Sequence, residues 1–183
     1  MIDFVETVAN LDQETDLHLA RLLILLEGFA EGSNGGPIEG LTKLAKLDFL
    51  LRYPVMLERA LVAKGRSTLN VKLEDYERLS VESEMVRYRF GPWDHRYREF
   101  LNILVAKGLA SITVEGRKVV IDITDQGRER AKQLADRDIF SDYVRRTQLL
   151  KRNFDLTATH LMQFIYETFP EIVSLRSNEP IST

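Results

Sequence analysis

Three histidines are the side chains best suited to acid–base chemistry or metal binding near neutral pH, and they are far apart in the sequence. His18, His95 and His160 form no HExxH motif and no other short metal-ligand spacing. The glycine-rich stretch 32–40 lacks the lysine of a phosphate-binding loop, and no GxSxG motif marks a nucleophile. We therefore expect no catalytic residue, no metal site and no cofactor, and we interpret the protein as a non-enzyme.

Basic and aromatic residues are concentrated in two stretches, 52–53 and 87–97. Arginine, tryptophan and tyrosine are the types that dominate protein–protein hot spots, so these stretches are candidate partner-binding segments, at or beneath a partner surface. The candidates are Arg52, Tyr53, Arg87, Arg89, Trp93, Arg96 and Tyr97. The alternative is that Trp93 packs in the core and the arginines pair with Glu82, Glu84 or Asp94.

Composition limits the remaining classes of protein. The chain has 183 residues, 44% of them hydrophobic, which allows one domain or two small ones sharing an interface. Cysteine is absent, which fits a reducing compartment. The N-terminus has no signal-peptide pattern, and the longest apolar run, 22–26, is too short to span a membrane. We expect a cytoplasmic protein without membrane association, and its net charge of −3 argues against avid binding to bare DNA.

The elements that position the 87–97 segment begin with a strand. Apolar and basic residues alternate over 86–90, which is the period of a strand. Gly91-Pro92 is expected to end that strand, because proline lacks an amide proton. Asp94 is placed to cap a following helix through its carboxylate.

That helix is expected to bury one apolar face and to end at Gly108, which suits a left-handed cap. Aliphatic alternation then predicts a hairpin that turns near 115–116, and Thr124 is placed to cap another helix. A helix, a two-stranded wing and a helix form the second half of a winged-helix domain.

The helix before a wing commonly enters the DNA major groove, so its outer side is a candidate DNA surface. The possible DNA contacts are Arg96, Arg98, Asn102, Arg117 and Lys118. Two features weaken this interpretation. A strand and a Gly-Pro turn precede the helix where a helix-turn-helix would have a helix, and the wing tip is only modestly basic.

The remaining chain is mainly helical. We expect a central helix over 15–31, a helix from Ile38 to Arg52 with an exposed Asp48–Arg52 pair, and a third helix from Pro54. Thr157 is placed to cap a C-terminal helix. An apolar, largely aromatic stripe along the C-terminal helices, from Phe140 to Phe169, covers the N-terminal helices or meets a partner. The fold class is α+β, mainly α. Its expected parts are an N-terminal helical half (1–66, with an arm at 1–14), a connector (67–84), a winged-helix half (85–136), C-terminal helices (137–176) and a mobile tail (177–183).

Three blocks of sequence resemble the middle component of ABC three-component systems of the Lamassu type, which defend against phages and plasmids. The blocks are LTKLAKLDFLLRYP (41–54), MVRYRFGPWDHRY (85–97), and LVAKGL (104–109) with ITDQG (123–127). The resemblance would extend from about residue 17 to 175.

The resemblance implies a winged-helix accessory subunit without catalysis. Its implied partners are an SMC- or Rad50-like ATPase and an effector subunit, often a nuclease, with DNA reached through the complex. The subunit would couple DNA sensing to effector control. The alternative is a dimeric winged-helix transcription regulator that binds DNA.

Overall fold

The computed structural model describes residues 15–78, 86–88, 91–175 and 180–181, and it is mainly helical. The expected arm at 1–14, the part of the connector from 79 to 84, and Arg89 lie outside these residues. The elements are α1 (Thr15–Ala30), β1 (Ile38–Glu39), α2 (Leu41–Arg52), α3 (Pro54–Ala63), α4 (Asp75–Arg78), β2 (Val86–Tyr88), β3 (Gly91–Trp93), α5 (Tyr97–Ala106), β4 (Ala110–Glu115), β5 (Lys118–Ile123), α6 (Asp125–Ala135), a 3-10 turn (Asp138–Phe140), α7 (Ser141–Phe154), α8 (Ala158–Thr168) and α9 (Pro170–Ser174).

Two helices, α1 and α2, form the centre of the molecule. The burial of α1 confirms the prediction of a helix covered on several sides. Helix α2 is equally central, because every residue from Lys43 to Arg52 is buried. The prediction of an exposed Asp48–Arg52 pair is therefore wrong. The helix also begins later than predicted, since Ile38 lies in the short strand β1.

A three-stranded antiparallel sheet has the strand order β1-β5-β4. Ile38 of β1 is opposite Ile121, and Ile112 of β4 is opposite the same residue on the other side. The predicted hairpin is confirmed, and its turn holds Gly116 at φ 62°. Within this sheet, the middle strand β5 has successive buried residues on both faces, Val120 and Ile121.

The predicted ends of two helices are also confirmed. Gly108 has φ 69°, and its amide donates to the carbonyl of Val105 while the amide of Leu109 reaches Leu104, which is a Schellman motif. The hydroxyl of Thr124 accepts from the amide of Gly127 at 3.0 Å and caps α6.

A second, two-stranded sheet corrects the prediction at Gly91-Pro92. The two residues do not end the strand ladder, because they belong to β3, which pairs antiparallel with β2. Arg87 is opposite Pro92 and Val86 is opposite Trp93. Proline is tolerated in such an edge strand because its missing amide can face away from the partner strand.

The C-terminal helices cover α1 and α2. This agrees with the prediction that the aromatic stripe covers the N-terminal helices. Phe154 and Phe169 lie in the same hydrophobic core as Leu22 and Leu47. Thr157 caps α8 as predicted, by accepting from the amide of His160. Of the tail predicted to be mobile (177–183), the structure describes residues 180 and 181, and the side chain of Ile181 is fully buried in the core.

The part of the connector that the structure describes, up to residue 78, contains the short helix α4 and no strand. Val71 is buried, whereas Leu69 is exposed. Among the helices of the described ranges, none combines the length and the apolar character needed to cross a lipid bilayer.

Candidate partner-binding surface

A buried polar cluster joins three helices at the base of the 87–97 segment. Asp48 of α2 accepts from Arg21 of α1 through both oxygens, with Nε–Oδ1 at 2.6 Å and Nη2–Oδ2 at 3.0 Å. The hydroxyl of Tyr97, the first residue of α5, donates to Oδ2 of Asp48 at 2.7 Å. Nδ1 of His18 lies 3.1 Å from Nη2 of Arg21. All four side chains are buried, so this cluster fixes α5 on the two central helices.

Opposite charges control protonation in this cluster. Burial by itself raises the pKa of Asp48, but the charge and hydrogen bonds of Arg21, assisted by Arg52 and Tyr97, hold the pKa below its usual value. Burial and the neighbouring carboxylate raise the pKa of Tyr97 well above its usual value. Asp48 is therefore a carboxylate, and Tyr97 keeps the proton that it donates.

A second group of ion pairs is centred on Asp94, in the turn before α5. Asp94 accepts from Nη1 of Arg52 at 2.9 Å and from Nη2 of Arg96 at 2.8 Å. Its other oxygen accepts from the amide and Nε of Arg96. Burial works to raise the pKa of Asp94, but the bonds from Arg96 and Arg52 hold it well below its usual value.

These contacts correct the prediction that Asp94 is the helix N-cap. Helix α5 begins at Tyr97 and Arg96 is its N-cap residue, without a side-chain cap. Asp94 instead closes the preceding turn, because its carboxylate accepts from the amide two residues later.

Aromatic rings continue the arrangement toward the surface. Trp93 meets Tyr97 edge-to-face at 5.5 Å between centroids. The Arg96 guanidinium lies 5.3 Å from the Phe100 ring centroid, and His18 stacks on Phe100 at 5.0 Å. The half-buried Trp93 and Arg96 are thus held from below by buried groups.

The structure brings five of the seven predicted partner-binding residues together. Arg52, Tyr53 and Tyr97 are buried, so they lie beneath the surface, while Trp93 and Arg96 are partly exposed. The backbone of Arg87 lies in β2, next to β3, and Arg89 lies outside the described residues.

Two residues that organise this site, Arg21 and Asp48, were not predicted as site residues. Their signal in the sequence is a charge inside an apolar run, since Arg21 stands among the leucines of α1 and Asp48 among those of α2. Such a charge predicts burial with a partner, but it does not identify that partner.

Helix α2 carries two further buried cations. Lys43 donates to Asp155 at 2.9 Å, just after α7. Lys46 donates to the backbone carbonyl of Thr42 at 3.1 Å, and burial lowers its pKa to about 8. The charged groups of α2 therefore point to different neighbours, and within the described ranges no three acidic or histidine side chains converge as metal ligands.

The candidate DNA contacts lie on the outside of the molecule, with one exception. Arg98, Asn102 and Arg117 are exposed on α5 and the hairpin turn. Lys118 is also exposed and pairs with Glu39 at 2.8 Å. Arg96 is the exception, because it is only partly exposed and bonds to Asp94.

Comparison with known proteins gives one family. A family model described as "ABC-three component (ABC-3C) system Middle Component 4" matches residues 30–164, well over half of the chain. No curated protein matches the chain. No solved structure matches it either.

Proposed function

Because the chain belongs to the ABC-three component (ABC-3C) system Middle Component 4 family, we propose that it is a non-catalytic accessory subunit of a defence complex. In this proposal the subunit bridges an SMC- or Rad50-like ATPase and an effector, often a nuclease, as in Lamassu-type systems. It couples the sensing of DNA to control of the effector and has no chemistry of its own.

The observation that carries this proposal is that the buried charged side chains of α2 bond to other elements of the fold. Asp48 binds α1 and α5, Arg52 binds the turn before α5, and Lys43 binds Asp155. Active-site groups usually converge on a cleft where substrate can reach them. These groups diverge and connect elements of the fold, which favours a scaffold that presents surfaces to partners.

The order of elements supports assignment of a winged-helix unit. Such a unit has a helix and a short strand that joins the sheet of the wing, further helices, and then the hairpin. Helix α1, strand β1 and helix α2 supply the first part, and α5 with β4 and β5 supplies the last part. The strand order β1-β5-β4 agrees with this assignment. Residues 53–96 then form an insertion between its two parts.

We assign the partner-binding surface to Trp93 and Arg96, with Arg87 and Arg89 in the same segment. Aromatic and arginine side chains supported by buried groups suit hot spots, since little conformational entropy is lost when a partner binds them. Arg52, Tyr53 and Tyr97 act beneath this surface as supports.

Co-expression with the other components of the native gene cluster tests the proposal. We expect the chain to co-elute with the ATPase and the effector in size-exclusion chromatography. An Arg87→Glu/Arg89→Glu variant should lose that co-elution, whereas Arg130→Glu, an exposed change on α6, should keep it. Elution of the wild-type chain by itself, or turnover of a substrate by the purified chain, would contradict the proposal.

The second candidate function is that of a dimeric winged-helix transcription regulator. The outward position of Arg98, Asn102 and Arg117 favours it, because these groups suit contacts to phosphates and base edges. A gel-shift experiment with the DNA upstream of its own gene discriminates the two functions. A sequence-specific shift that Arg98→Ala/Asn102→Ala abolishes would favour the regulator.

A further inference from the structure

The loop that follows α3 has features that the proposed function does not explain. We define it as the Leu69 loop, residues 64–72. Helix α3 ends at Ala63, Gly65 follows with φ 64°, and the chain then runs along α7. Lys64 donates to the carbonyl of Asn153 near the end of α7, and Arg145 near its start donates to the carbonyl of Asn70. The loop therefore runs antiparallel along that helix.

The base of the loop is held firmly by a buried arginine. Arg146 of α7 donates to the carbonyls of Val71 at 3.0 Å and Lys72 at 3.2 Å. It also forms two bonds of 2.7 Å with the carboxylate of Glu77 in α4. Arg146 is only 2% exposed, and Val71 is fully buried beside it. Bidentate charge-assisted bonds of this kind fix geometry as well as adding stability.

This clamp maintains a strained backbone. Lys72 has φ 47°, and it is the non-glycine residue with positive φ in the described chain. Side chains other than asparagine and aspartate seldom adopt this conformation, which persists where the surroundings determine it. The loop is thus held in one shape, and rigid loops bind with a smaller entropy cost than mobile ones.

The tip of the rigid loop presents a leucine to water. The amide of Val71 donates to the carbonyl of Thr68 at 2.9 Å, which places Leu69 at the second position of a β-turn. Leu69 is 84% exposed, more than any other large hydrophobic residue of the described ranges. Turns favour glycine, proline, asparagine, aspartate or serine, so the turn itself does not explain a leucine. Val62, at the end of α3, is also exposed, at 65%.

Charge surrounds this apolar tip asymmetrically. Residues 59–73 contain four basic residues and no acidic one, although the whole chain carries a net charge of −3. Arg59 pairs with Glu171, and Lys64 lies over aromatic rings, so both act within the fold. Arg66 and Lys72 are exposed, and neither forms an ion pair with the residues that the structure describes.

We propose that the Leu69 loop is a docking element for another protein component of the same three-component system. The partner surface would offer an apolar pocket for Leu69, rimmed by carboxylates that meet Arg66 and Lys72. This inference rests on the proposed function. A protein is favoured over nucleic acid because two available cations are too few for a series of phosphates. It is favoured over a membrane because one leucine at a turn is a small apolar area to insert.

Co-purification of the components of the native gene cluster tests the loop. We expect Leu69→Asp to weaken the affinity for the binding component by about tenfold or more, as loss of a hot spot does. The matched control is Ile139→Asp, because Ile139 is 74% exposed and lies outside the loop, in the 3-10 turn before α7. Arg66→Glu/Lys72→Glu should also weaken binding, and the loss of affinity should be larger in low salt than in high salt. Thermal melting of each variant checks that it remains folded.

The outcomes separate this inference from the proposed function. Loss of binding in Leu69→Asp with retention in Ile139→Asp supports the docking element. Equal binding of Leu69→Asp and wild type overturns the docking element and leaves the proposed function intact. Failure of the wild-type chain to bind any component overturns both. Binding of a DNA duplex or anionic vesicles that depends on Leu69, without binding of a protein component, also overturns the docking element.

Discussion

The hydroxyl of Tyr97 donates to the carboxylate of Asp48 at 2.7 Å, and this bond attaches the helix before the hairpin to the central helix α2. Both groups are fully buried, and Arg21 holds the same carboxylate from α1. The outer side of α5, with Arg98 and Asn102, is therefore oriented by a polar contact in the core. Variants in that contact should change both the stability of the protein and the orientation of α5.

Tyr97→Phe removes the hydroxyl and keeps the ring. A hydrogen bond to a charged group contributes about 1.5–3 kcal/mol, so we expect the free energy of unfolding in urea to fall by about that amount. The edge-to-face contact with Trp93 should persist, and tryptophan fluorescence of the native state should change little. A loss below about 0.5 kcal/mol would show that the bond does not hold α5.

Breaking the Arg21–Asp48 pair on one side should cost more. Asp48→Asn leaves the Arg21 charge buried without its counterion, and we expect a loss of about 3–5 kcal/mol. The double variant Arg21→Met/Asp48→Leu should recover much of that loss, because no uncompensated charge remains. Urea unfolding of Arg21→Met, Asp48→Leu and the double variant gives the coupling energy. Additive losses would contradict the prediction.

Stability should fall in acid partly because of Asp94. Its pKa is depressed in the folded protein, so the unfolded chain binds the proton more readily. The stabilisation is present above the unfolded pKa of about 4 and is lost as pH falls below about 5 toward the lower folded value. Asp94→Asn should flatten this part of the stability profile, measured by urea unfolding between pH 3 and 7. Asp136→Asn, at the exposed C-cap position of α6, is the matched control for removal of one carboxylate.

Lys46 should also make the stability rise with pH, but in the alkaline range. Burial lowers its pKa to about 8 from 10.5, so between these values the unfolded chain binds more protons than the folded one. Stability contributed at this site therefore rises with pH in that window. Lys46→Met should remove the rise and stabilise the protein at pH 7 by about 1–3 kcal/mol. An unchanged slope between pH 8 and 10 would show that Lys46 does not titrate there.

Helices α1 and α7 cross closely at Gly28. A Cβ on Gly28 would overlap with Cγ2 of Thr147, whereas a Cβ on Gly36 would meet nothing within 4 Å. Gly28→Ala should cost about 1–3 kcal/mol through overpacking, although alanine favours a helix. Gly36→Ala is the control, and Gly28→Ala/Thr147→Ser should recover most of the loss. Chemical unfolding measures all three variants.

Local signals account for the parts of the fold that the sequence predicted. Pro54 at a helix start, Gly108 at a helix end, and Thr124 and Thr157 as caps act within a few residues of themselves. Their effects do not depend on the rest of the chain, so hydrophobic periodicity and the residues that start or end helices were sufficient to predict them.

The contacts of the site depend on residues distant in sequence, and they were not predictable from local pattern. Arg21 is 27 residues from Asp48, and Tyr97 is 49 residues from it. The Asp48–Arg52 spacing predicted an exposed pair because spacing reports only which residues share a helix side. Whether that side faces water or another helix is decided by tertiary packing.

Strand β1 has only two residues, but it gives the hairpin a mechanical link to the centre of the molecule. The amide of Gly40 donates to the carbonyl of Val119 at 2.7 Å, and Leu41 begins α2 directly afterwards. A displacement of the hairpin would thus be transmitted through Gly40 to the first turn of α2. A partner that tilts the hairpin would therefore also act on α2, the helix that carries the buried side chains of Asp48 and Arg52.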